Sequence, residues 1–119
     1  MTRASGNLFG ASASHHPCER IDALIEQQGV TVERIVSCGH ASPPGFWYDS
    51  PRAEWVGLLS GAAALEFAGQ AALHEMRPGD WVWIEAHCRH RVARTHESEP
   101  TVWLAVYFPA VDNAPALHR

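Results

Sequence analysis

From Val30 to Phe108 the chain never sustains a helical period; it breaks into short apolar runs separated by glycine and proline. Val30 to Ser37 alternates around Val30, Val32 and Ile35-Val36, and Glu54 to Ser60 stops at Gly61. Ala63 to Phe67, Ala71 to Met76, Trp81 to Ile84, His90 to Thr95 and Val102 to Phe108 follow, with Gly69 and Pro78-Gly79-Asp80 among the breaks. Each run has strand length, and each break carries a residue that turns require for its fixed or positive φ. About eight strands so spaced predict an all-β sandwich or barrel. An α/β fold would need helical segments of roughly 10–15 residues between the strands, and none is present.

The first thirty residues read differently. Ile21, Leu24 and Ile25 are spaced by three and four, and Gly29 follows, so a short N-terminal helix is expected within Cys18 to Gln28. The expected division is an extension over 1–29, a barrel over 30–109 and a tail over 110–119. With 119 residues the chain is the size of one domain and can bury a core without staples.

Charge narrows the partners. All nine basic residues are arginines, the net charge is −4, and no basic run could track a phosphate backbone or an anionic bilayer. Nucleic acid and membrane are therefore not expected partners. The absence of lysine removes Schiff-base chemistry and P-loop phosphate binding. No G-x-G-x-x-G or G-x-S-x-G occurs, so no nucleotide cofactor and no serine nucleophile is expected. Cys18, Cys38 and Cys88 form no C-x-x-C pair, and no basic-then-apolar leader stands at the N-terminus, so free thiols and a cytoplasmic location are expected.

Two stretches carry a resemblance. Glu54 precedes Gly61 by the interval of the first cupin motif, and Pro78-Gly79-Asp80 leading to His90 follows the second, G-D-x4-P-x-G-x2-H. Over residues 34 to 108 the chain thus resembles small one-barrel cupins, including members with an S-P-P-G-F-W-Y-D segment before the glutamate. The resemblance implies a cupin-type double-stranded β-helix, or jelly roll, that forms a homodimer. It also implies a divalent metal (iron, zinc, manganese or nickel) in the barrel. The departures are specific: Trp47 and Asp49 stand where the motif has its H-x-H pair, and Glu85, His87 and Arg94 replace the second motif's proline, glycine and asparagine.

Of the usual ligands only Glu54 and His90 keep their places, with Asp49 offering a carboxylate as a third. Such a set would serve a dioxygenase, an isomerase or a lyase acting on a small polar molecule. The alternative is a metal-free barrel that binds a small ligand without catalysis, with both carboxylates merely hydrogen-bonded. Tyr48 and His87 are the candidate acid/base groups, and Trp47 the candidate pocket wall. Strand alternation places Arg94 on the face of His90, as a contact for an anionic substrate.

Overall fold

The computed structural model describes residues 3–10 and 19–110, and its described residues form strands, turns and loops. The strands are β1 (Arg20–Gln27), β2 (Val30–Ser37), β3 (Glu54–Ser60), β4 (Ala63–Phe67), β5 (His74–Met76), β6 (Trp81–Ile84), β7 (His90–Thr95) and β8 (Thr101–Tyr107). They build a five-stranded sheet in the order β1-β2-β8-β3-β6 and a three-stranded sheet in the order β5-β4-β7. All pairings are antiparallel.

Alternation along each strand sends one set of side chains between the sheets. Val56, Leu58, Ile84, Trp103 and Ala105 from the larger sheet meet Ala63, Leu65 and Met76 from the smaller. Each large apolar side chain so buried contributes roughly 1.5–3 kcal/mol. The outer face of the small sheet is polar and tied by cross-strand ion pairs. Arg91 bonds Glu66 at 2.9 Å, and Arg94 bonds Glu75 across the fully buried Ala64. On the outer face of the large sheet Trp55 stacks on Trp81 at 6.1 Å and lies over Gly57, leaving Trp81 60% exposed.

The expected N-terminal helix is a strand. Residues 20–27 form β1 along the edge of β2, and Cys18 lies outside the described residues. The helix-like spacing has a local cause: the register steps from Ala23↔Glu33 to Ile25↔Val32, so Leu24 is an inserted bulge residue. One extra residue shifts a period of two into an apparent three-and-four. Gly29, read as a helix stop, is the second residue of a two-residue hairpin loop. Gln28 and Gly29 both have positive φ, 55° and 79°, as a type I′ turn requires.

A second bulge corrects the placement of Arg94. Pairing passes from Leu65↔Val92 to Ala64↔Arg94, so Ala93 is inserted and the alternation reverses after it. His90 is buried and faces inward, and Thr95 is buried too, whereas Arg94 is turned to solvent.

Gly61 closes the β3–β4 hairpin at φ 89°, and a Cβ there would stand 2.4 Å from the Oγ1 of fully buried Thr101. Gly61→Ala is expected to cost about 2 kcal/mol or more, read as a Tm lower by on the order of 10 °C in a thermal melt. Gly45→Ala, at φ 81° with open space around it, is the control and should lose only ~1 kcal/mol.

Candidate functional site

Between the two sheets lies a cavity of about 130 Å³. Its apolar walls come from Ile35, Val56, Ile84 and Trp103 on one side and Leu65 and Val92 on the other. Five groups with chemistry reach it: Glu19, Tyr48, Glu54, His90 and Tyr107.

Glu54 is the first residue of β3, and strand alternation turns it to the same side as Val56 and Leu58. Its side chain is only 13% exposed. Burial, reinforced by the carboxylate of Glu33, pushes its pKa up to about 7. His90 opens β7 on the opposite sheet, with its side chain 8% exposed. Its Nδ1–H donates to the carbonyl of Cys88 at 2.8 Å, which leaves Nε2 with the lone pair in the neutral ring. Burial lowers its pKa, against a smaller opposing effect of that hydrogen bond, so the ring is neutral at neutral pH. Nε2 stands 3.8 Å from Glu54 Oε1, beyond a direct hydrogen bond and close enough for both to meet one small ligand.

Tyr48 reaches the cavity from the loop before β3. Its N–H donates to the carbonyl of His90 at 2.7 Å, the His90 N–H donates back at 3.2 Å, and the two rings stack at 5.4 Å. Burial raises the Tyr48 phenol, aided by the carboxylates of Glu19 and Glu54, and keeps it protonated. Tyr107, inward on β8, is raised in the same way by burial and then by Glu54 and Glu33. Glu19, just before β1, accepts from the Ser37 hydroxyl at 3.1 Å.

Of the residues singled out in the sequence, the fold thus brings together Glu54, His90 and Tyr48. It holds Asp49 and His87 apart from them. Asp49 Oδ1 and His87 Nδ1 bond each other at 2.8 Å with side chains 49% and 66% exposed, and neither lines the cavity. Trp47 also lies off the cavity, under the guanidinium of Arg89 at 5.3 Å. Arg94 is bonded to Glu75 on the outside. Glu19 and Tyr107 were not foreseen. Tyr107 could have been found by alternation from Trp103, whereas nothing near Glu19 in the sequence marks it.

The metal that the cupin resemblance implies was tested against this donor set. Glu54 and His90 supply one carboxylate and one imidazole nitrogen, the third expected carboxylate is engaged with His87, and Trp47 has no donor for a hard cation. Among the described residues no three His, Cys, Asp or Glu side chains group as a metal site. Three or four protein ligands are usual for such an ion, so the described residues do not fit one.

Residues 39–107 match the family model described as "Cupin domain". A crystal structure from Ralstonia eutropha JMP134, named as a "putative mannose-6-phosphate isomerase", is 54% identical over 91% of this chain and 100% of that one, with a TM-score of 0.87. A cupin superfamily protein from Desulfitobacterium hafniense DCB-2 shares the fold at 14% identity and a TM-score of 0.67, over 81% of this chain and 82% of that one. KdgF from Halomonas sp. does so at 15% and 0.62, over 77% and 82%. No curated protein matches the chain.

The raised carboxyl of Glu54 has a measurable consequence. Because the folded state binds this proton more tightly than the unfolded chain does, its contribution to stability is complete below about pH 4.5. It is lost as pH rises through about 7. Glu54→Gln removes the ionisation while keeping the shape. The variant is expected to be more stable than the parent at pH 8, by on the order of 3 kcal/mol, with the gap closing towards pH 5. Denaturant unfolding of both proteins across this range checks it.

Proposed function

The chain belongs to the cupin-domain family, and on that premise we propose that its barrel pocket binds a small organic molecule and moves a proton on it through Glu54 and His90. The observation that carries this is the placement of a carboxyl titrating near 7 beside a neutral imidazole, with its free nitrogen 3.8 Å away, inside an apolar cavity. A general acid or base works best when its pKa lies near the working pH, since it then both takes and returns a proton. Glu54 meets that condition. His90, fixed in one tautomer by the Cys88 carbonyl, presents Nε2 as the second acceptor. The Tyr48 hydroxyl, protonated throughout the neutral range, donates a hydrogen bond to an oxygen of the ligand.

A pair of this kind suits a proton shift next to a carbonyl: one group removes the proton from carbon, and the same or the other returns it at the neighbouring atom. The isomerase name of the Ralstonia eutropha relative supports that reaction class. It gives less support to a sugar phosphate here, because among the described residues no arginine lines the cavity and two carboxylates do.

Incubation with hydroxyacetone in D2O, followed by proton NMR, tests the reading. Deuterium should enter the carbons beside the carbonyl in the presence of the protein, and Glu54→Gln should slow it by about 10²–10⁴-fold. Exchange no faster than in buffer, or unchanged in Glu54→Gln, overturns it.

A further inference from the structure

We infer that the cavity between the sheets selects a ligand carrying an organic ammonium group, a small carbonyl compound bearing an amine being the class that fits. This rests on the reading that the cavity is the ligand site, and it adds the charge of the ligand.

The basis is the sign of everything ionisable around the cavity. Glu19 and Glu54 line it, Glu33 lies close enough to raise Glu54, and the remaining polar groups are two phenols and a neutral imidazole. Among the described residues no cation balances them from the lining. The chain has no lysine, and among its arginines Arg20 and Arg34 both pair with Asp22. Arg52 lies over the Tyr107 ring at 5.6 Å and partly offsets Glu33, but its donors go to the carbonyls of Gly29, Tyr107 and Phe108, while Arg91 and Arg94 pair with Glu66 and Glu75 on the outer face. A carboxylate or phosphate entering here would meet like charge with nothing to pair it, which in a space of low polarity is heavily disfavoured.

An ammonium answers the same features. It supplies the missing counter-charge to Glu54 and Glu19, and its alkyl part lies against Ile35, Val56 and Val92. Tyr48 and Tyr107 also border the space, and a phenol oxygen can accept a hydrogen bond from an ammonium. The volume of about 130 Å³ accommodates a ligand of a few heavy atoms.

Three compounds of nearly equal size separate the possibilities at pH 7: aminoacetone as the cation, hydroxyacetone as its uncharged counterpart, and pyruvate as the anion. Each is titrated into the isotope-labelled protein, and shifts of the Ile35, Val92 and Trp103 resonances are followed by NMR. Aminoacetone is expected to bind at least tenfold more tightly than hydroxyacetone, with pyruvate the weakest. Glu19→Gln should narrow the gap between the first two by threefold or more. Equal affinities for aminoacetone and hydroxyacetone, or tightest binding of pyruvate, overturn the ammonium preference and leave the pocket as a ligand site. No response to aminoacetone at those three residues also overturns it, and proton exchange on hydroxyacetone still decides the parent reading on its own.

Discussion

The carboxyl of Glu54 sits between two apolar sheet faces, and much else in the molecule is arranged around the cost of putting it there. A carboxylate taken out of water without a partner is expensive, and the group responds by holding its proton to about pH 7. No arginine relieves it. The sheets around it must therefore be stable enough to carry the penalty. They are pinned by the core packing of Val56, Leu58, Leu65, Met76 and Trp103, and by long antiparallel ladders on both sides of β8. A site that destabilises the fold at neutral pH is common where a group is kept ready for proton transfer.

How the barrel opposes Glu54 to His90 follows from topology. Glu54 begins β3 and His90 begins β7, and these strands lie in different sheets whose inner faces meet. Neither residue reaches the other along the chain; the facing of the sheets does it. The Cys88 carbonyl then sets the imidazole tautomer, and the Tyr48 backbone bridge sets the position of the loop above it.

The strands from Val30 onward were legible because alternation and turn residues are local signals, and β2, β3, β4, β6 and β7 have the bounds the sequence suggests. Glu54 and His90 were legible through motif spacing. What escaped was the effect of single inserted residues. Leu24 made a strand look helical, and Ala93 turned Arg94 outward although alternation from His90 pointed it in. A bulge is decided by the partner strand, so periodicity within one segment cannot reveal it. Glu19 escaped for a related reason: it shares a cavity with Glu54 only after β1, β2, β8 and β3 have been placed side by side.

The two positions where the motif would have histidines have taken up a mechanical task. Asp49 bonds His87, the His87 N–H donates to the Ser50 carbonyl at 2.7 Å, and Trp47 is covered by Arg89. All three contacts fasten the loop before β3 to the turn before β7. Between those fastenings Tyr48 exchanges two backbone hydrogen bonds with His90 and stacks on its ring. His87 itself holds φ at 62°, a left-handed conformation that carries a backbone cost for a residue other than glycine. The His87–Asp49 bond and the Ser50 carbonyl hold the residue in that conformation from both its side chain and its backbone. Residues 47, 49 and 87 thus hold Tyr48 against His90 from outside the cavity that Glu54, His90 and Tyr48 line.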